Sequence, residues 1–339
     1  MLAAVSQYGV PSQFLLSPGG SVYYNTISNK PTNPPTWNGW VSLGIGLGGR
    51  EIAAGTSLVG VTVRPYVELV DNSGNVYFNG QNSSGAFTGF APVSVGAGLT
   101  SISSGTLPIY NAPFIFATNS RGDIFYTQQA SNGAWAGLSP VGLGVGAAEL
   151  AAGAVRLNAS PLSYEPYLFM LNGAHNVYFT VRNTNNGWTP WSPVGVGVGA
   201  ASISTISVGN TPMVTLVNGM GDIYSNQETA AGGWAGWSPV SLLNVGAIVE
   251  TGTVANYTPW TLMVNGLGHL YSSYGGAGEW STWQSLGTAP PAAAYAFTSN
   301  PGNAPFAFII GTDGNDYWNY QTTFSTWSGW VNIGFAPSS

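Results

Sequence analysis

The chain has 339 residues, with 48 Gly, 22 Pro and no Cys; only 5% of residues are charged, and the net charge is −6. The six cations, Lys30, Arg50, Arg64, Arg121, Arg156 and Arg182, are scattered, which argues against a nucleic-acid binder or a polybasic membrane anchor, both of which need clustered positive charge. Without Cys, disulfides and thiolate metal centres are excluded, and no apolar run is long enough for a membrane-spanning helix.

The predicted elements begin with an opening strand over Ala3–Val10, a turn at Gly20-Ser-Val-Tyr23 and an aromatic pair at Trp37-Asn-Gly-Trp40 that leads into Val-Ser-Leu-Gly44. The same order then recurs. The second unit reads Gly74-Asn-Val-Tyr77 and Phe87-Thr-Gly-Phe90. The third has small-residue and apolar strands at Thr100–Ser104 and Pro113–Ala117, then Gly122-Asp-Ile-Phe125 and Trp135-Ala-Gly-Leu138. The fourth carries His175-Asn-Val-Tyr178 and Trp188-Thr-Pro-Trp191, and the fifth Pro212–Val217, Gly221-Asp-Ile-Tyr224 and Trp234-Ala-Gly-Trp237. The sixth has Gly268-His-Leu-Tyr271 and Trp280-Ser-Thr-Trp283, the seventh Asn315-Asp-Tyr-Trp318 and Trp327-Ser-Gly-Trp330. Gly or Asn beside Asp or Asn permits the positive φ of a tight hairpin.

Eleven of the 13 Trp residues lie in the aromatic pairs, which follow one another at spacings of 46–53 residues. Each unit reads as four short strands joined by hairpins, and no helical periodicity of useful length appears. Seven such units predict an all-β chain: a seven-bladed β-propeller of four-stranded antiparallel blades, residues 1–339 forming one domain. The chain begins and ends on a unit boundary, so blades one and seven are each expected to be contiguous in sequence and to close the ring by packing, without strand exchange.

The repeats resemble PLL-type lectin propellers and, more loosely, PVL-type and tachylectin-type ones. The resemblance rests on Trp-Ser-Gly-Trp-Val-Asn-Ile-Gly334 and its six counterparts and spans the whole chain. It departs from the pattern where Phe87, Phe90 and Leu138 replace Trp. It implies a multivalent lectin that binds neutral monosaccharides or glycan ends, of fucose or N-acetylated type, between neighbouring blades.

A Trp face offers a flat apolar surface to pyranose C–H groups, and its N–H can donate to a hydroxyl. The candidate carbohydrate-binding residues are therefore Trp37, Trp40, Trp135, Trp188, Trp191, Trp234, Trp237, Trp280, Trp283, Trp327 and Trp330. Residues three apart in a strand point to opposite faces. The second of each pair is expected to be chiefly blade–blade packing that borders a site, and the first, at the hairpin entrance, to be the more exposed. The turn residues Asn75, Asp123, Asn176, Asp222, His269 and Asp316 read as turn chemistry, with a calcium role for Asp313-Gly-Asn-Asp316 as the alternative. No catalytic residues, metal or cofactor are assigned. Glu51 and Glu149, at matching places in their units, are the acids that a glycan-active enzyme would use, although the repetition looks architectural. A protein-interaction scaffold is the other alternative. The partners expected are glycoconjugates, with no nucleic acid and no membrane insertion; an oligomer is left open. Met1-Leu-Ala-Ala does not resemble a secretory signal, while the low Lys content suits a released or extracellular protein.

Overall fold

The computed structural model describes residues 1–7, 9–28, 36–44, 48–108, 112–159, 162–196, 199–241, 246–253, 258–276, 279–299, 304–323 and 326–338. Seven antiparallel sheets follow one another along the chain, each with its strands in sequence order, and no helix occurs among the described residues. The arrangement is a seven-bladed β-propeller. The innermost strands, such as Leu2–Gln7, Gly49–Val59, Ala147–Ala159 and Ala292–Thr298, surround a central channel. Blades six and seven have a divided outer strand: Glu279–Trp280 with Gln284–Ser285, and Thr326–Trp327 with Val331–Phe335.

The second strand of each blade is its most buried element. In Ala112–Asn119 seven of eight residues are buried, and in Thr211–Asn218 again seven of eight. A strand covered on both faces loses the usual alternation and reads as a continuous apolar run. The apolar side chains gather into seven clusters, one at each junction between neighbouring blades. The core of this protein therefore lies between its sheets.

Turn chemistry is regular. In blades two to six the last residue of the second strand turns its side-chain oxygen onto the backbone two and four residues later. Asn172 Oδ1 accepts from the amides of Ala174 and Asn176 (both 3.0 Å), and Asn265 Oδ1 from those of Leu267 and His269 (both 2.9 Å). The predicted turn residues then pin the loop that returns to the axis: Asn75 Oδ1 accepts from the Gly96 amide and Asp123 Oδ1 from the Gly144 amide, both at 2.8 Å. Gly122, with φ of 73°, sits so close to this returning loop that a Cβ would lie 2.5 Å from the Ala147 nitrogen.

The ring closes by packing. Residues Leu2–Gln7 pair only with Val10–Leu16, so the first blade is contiguous, and so is the last. Leu2 and Leu15 of blade one meet Ala296, Phe306, Phe308 and Trp318 of blade seven.

Asp316 corrects the turn assignment. It pairs with Ile310 on the second strand, the place that Leu270 holds opposite Val264 in blade six, which is a core position. The seventh turn is one residue out of step with the predicted alignment, and a one-residue slip moves a strand residue to the opposite face. Asp316 is buried at the closing seam and accepts from Gln13 Nε2 of blade one at 2.6 Å. Asp313 bonds its own turn, through the Asn315 amide (3.1 Å) and the Tyr317 hydroxyl (2.6 Å). The two acids thus look into different environments, which argues against a shared calcium loop.

Burial pushes the Asp316 carboxyl up to about 8, with the Gln13 bond offsetting only part of the effect. Burial does the same to Glu68, also to about 8. In the unfolded chain such groups ionise near pH 4. Their contribution to stability is thus fully present below about pH 4 and is lost progressively as the pH rises toward 8. The protein is expected to melt higher at pH 5 than at pH 8. Asp316→Asn should remove part of this dependence and raise the pH 8 melting temperature by a few degrees, roughly, measurable by calorimetric scans across the range.

Candidate functional site

The motif aromatics of every unit reach backwards onto the preceding blade. Trp188 of blade four meets Phe116 and Tyr126 of blade three edge-on, with ring centroids 5.3 and 5.2 Å apart. Trp234 meets Phe169 and Phe179 in the same way at 5.4 and 5.2 Å, Trp135 meets Phe78 at 5.3 Å, and Phe87 meets Tyr24 at 4.8 Å. At the seam, Trp37 lies against Trp318 at 5.5 Å. Where the preceding blade has Ser225 or Ser272 in place of the aromatic, the indole N–H of Trp280 or Trp327 donates to that hydroxyl, both at 3.2 Å.

The second-position residues wedge against the outer strand of the preceding blade. Trp283 Nε1 donates to the Val240 carbonyl at 3.3 Å. Trp191 leaves no room at Gly142, where a Cβ would lie 2.8 Å from its indole nitrogen, and Trp237 closes on Gly195 in the same manner. Trp40 and Trp330 join the clusters at the seven–one and six–seven junctions. Both positions are half-buried. The hairpin that carries the first Trp folds down onto the neighbouring blade, so both positions share the same degree of burial.

In blades two, four, five and six a polar side chain on the third strand holds the motif loop in this pose. Asn79 Oδ1 accepts from the Gly89 amide and Asn226 Oδ1 from the Gly236 amide, both at 3.0 Å. Thr180 Oγ1 donates to the Thr189 carbonyl and Ser273 Oγ to that of Ser281, both at 2.7 Å. These residues stand two after the turn aromatic, a repeated signal legible in the sequence.

Two homologous clefts open at the rim. One, about 300 Å³, lies between blades three and four and is lined by Tyr126, Gln128 and Gln129 on one side and Arg182, Asn186 and Trp188 on the other. The other, about 370 Å³, is formed by the matching part of blade five, with Ser225, Asn226, Gln227 and Glu228. Trp280 contacts its wall through Ser225. Of the predicted site residues, Trp188 lines a described cleft directly, and none of the second-position Trp residues does. The polar rim residues were missed. Their signal is positional: Gln81, Gln129, Arg182 and Glu228 each stand six residues before, and bridge to, their own unit's first aromatic.

The central channel holds a second set of polar groups in a space of about 570 Å³, with Glu51, Glu149, Glu250 and Tyr295 among its lining. Glu51 Oε1 accepts from the Ser101 hydroxyl (2.9 Å) and the Ile102 amide (3.2 Å) of the next blade. Glu149 repeats this with Ser202 (3.0 Å) and Ile203 (3.2 Å). Burial pushes both carboxyls up, the neighbouring-blade hydrogen bonds opposing it, and raises Glu250 to about 7. No group of three His, Asp or Glu residues among the described residues is arranged to hold a metal ion. The two matching glutamates stitch blade two to three and blade four to five.

The BP39L lectin from Burkholderia pseudomallei superimposes with a TM-score of 0.82 at 20% identity, over 98% of both chains. AofleA from Arthrobotrys oligospora gives 0.61 at 10% identity over 86% of this chain and 88% of that one. The six-bladed Aleuria aurantia lectin, described with a fucose recognition mode, gives 0.58 at 15% identity over 85% and 96%. No sequence family model and no curated protein matches the chain. At these identities the likeness is one of fold.

The glutamate stitch makes a direct prediction. Glu149→Ala leaves the Ile203 amide and the Ser202 hydroxyl without their acceptor and should destabilise the protein by about 1–3 kcal/mol. Glu149→Gln, which keeps an acceptor oxygen, should cost less. Chemical denaturation of both variants checks the order.

Proposed function

We propose that the chain is a multivalent lectin that binds neutral monosaccharides or glycan ends, of fucose or N-acetylated type, in the clefts between its blades and does not turn them over. The observation that carries this reading is recurrence: a rim cleft lined chiefly by amides and hydroxyls, with one charged residue in each, forms at two homologous places in one ring, with Trp188 in the lining of the first and Trp280 bonded to the wall of the second. Clefts of this size suit a single sugar unit, and amide and hydroxyl groups match its alternating donors and acceptors. Two of the solved structures of like fold are described as lectins, one of them with fucose recognition. Glu51 and Glu149, the matching glutamates of the channel, are engaged in holding blades together, which supports binding without hydrolysis. The eleven motif Trp residues then divide by role: first-position residues such as Trp188 border the sites, and second-position residues support them.

One small ligand in a shallow cleft gains little, so free monosaccharide should bind with Kd of about millimolar order. Immobilised glycans should be held far more tightly through several sites at once. A glycan array followed by calorimetry with the best free sugar tests both parts. Trp188→Ala should lower the binding stoichiometry by one site while leaving binding elsewhere. An array without any sugar signal, alongside a specific protein partner, would favour an interaction scaffold instead.

A further inference from the structure

The two homologous rim clefts carry opposite charges on different walls: Glu228 stands in the second where Gln129 stands in the first, and Arg182 enters the first from the following blade. The place held by Gln81 and Gln129 in blades two and three is Arg182 in blade four and Glu228 in blade five. In a chain with 5% charged residues, a half-buried guanidinium at a cleft is not filler.

Arg182 is held rigidly across the blade boundary. Its Nη1 donates to Gln128 Oε1 at 2.9 Å and lies 3.4 Å from the Tyr126 hydroxyl. The Tyr126 hydroxyl donates to the same Gln128 oxygen at 2.7 Å. The guanidinium carbon also sits 5.3 Å from the Tyr126 ring centroid, a cation–π distance. All of these hydrogen bonds use one terminal nitrogen. The donors on Nε and Nη2 have no partner among the described residues, and the residue lines the cleft. The other charged group nearby is Glu165 of the same blade. Burial pushes its carboxyl up while Arg182 draws it down, and among the described residues no ion pair joins the two.

A guanidinium offers only donors, in a planar fork that fits a carboxylate at two points. A neutral sugar hydroxyl accepts from such a fork without neutralising its charge, whereas a carboxylate does both. Gln128, Gln129 and Asn186 around the fork supply uncharged groups for ring hydroxyls.

We propose that the cleft between blades three and four selects saccharides carrying a carboxylate, of the uronic acid class, with the free edge of the Arg182 guanidinium as its two-point anchor beside Trp188. This rests on the lectin reading and refines it: one site in the ring takes an acidic sugar, while the others take neutral ones.

The test is calorimetry, supported by saturation-transfer spectroscopy, with glucuronate against glucose and galacturonate against galactose. The wild-type protein should bind the uronate at one site at least about tenfold more tightly than its neutral counterpart, the size of a charge-assisted hydrogen bond, and the preference should shrink as salt is raised. Arg182→Gln should abolish the preference without a large change in melting temperature. Arg182→Lys should retain only part of it, because an ammonium cannot make the two-point pair. Arg121→Gln, which removes an exposed cation from a turn, is the control for net charge and should behave as wild type. Equal binding of uronate and neutral sugar by the wild type, or a preference that survives in Arg182→Gln, overturns the proposal while leaving the lectin reading intact. If neither these sugars nor any glycan on the array is bound, the lectin reading itself fails and this proposal with it.

Discussion

The aromatic pair that each unit lays on the preceding blade is the contact on which the rest of the structure depends. A four-stranded sheet with both faces apolar cannot exist alone in water, and this chain has very little charge with which to dress a face. Burying each face against the next sheet is the solution, and the motif aromatics set the angle and distance at which two sheets meet. The interfaces share one construction: the second strand of one blade supplies large apolar side chains, and the next blade returns its first aromatic onto them, edge-on where an aromatic faces it and through an indole hydrogen bond where Ser225 or Ser272 does. The order is directional, so the first blade's pair has no earlier blade in the chain and finds blade seven instead. Ring closure needs no exchanged strand because a side-chain contact performs it.

The cleft between blades three and four is a by-product of this packing. The first aromatic is consumed on one side by the neighbouring core, and what remains of it borders a cleft between two hairpins. Residues at the rim of that cleft take no part in the wedge. They are free to differ from blade to blade, and they do, as Gln129, Arg182 and Glu228 show. The constraint that makes the blades alike therefore lies inside, and the chemistry that makes the sites differ lies at the edge. The axis shows the same economy in another form: glutamates on alternate blades reach across to a serine hydroxyl and an amide of the next, binding inner strands that small side chains alone would hold loosely.

The likeness to bacterial and fungal propellers at 10–20% identity fits this picture. At such identities the likeness carries architecture much further than it carries ligand choice.

How much of this was legible in the sequence follows from the range of each interaction. The number of blades, their four-strand order and the contiguity of the first and last blades were readable, because repeats, hairpin turns and apolar strands are local patterns with fixed periods. The motif Trp residues were readable as important, but not what they touch, since their partners Phe116, Phe169 and Trp318 belong to other units. The seventh turn was misread by one residue. Gly314-Asn-Asp316 offers two polar residues for one turn position, and only pairing with Ile310 decides that Asp316 faces the core. The clefts were not readable at all. Arg182 meets Gln128 and Tyr126 across 54 and 56 residues of chain, and no local rule brings such groups together. The sequence by itself determined the repeated unit and the ring. Only the tertiary structure decided which side chains meet at each boundary, because those contacts join neighbours in space that are a full blade apart in the chain.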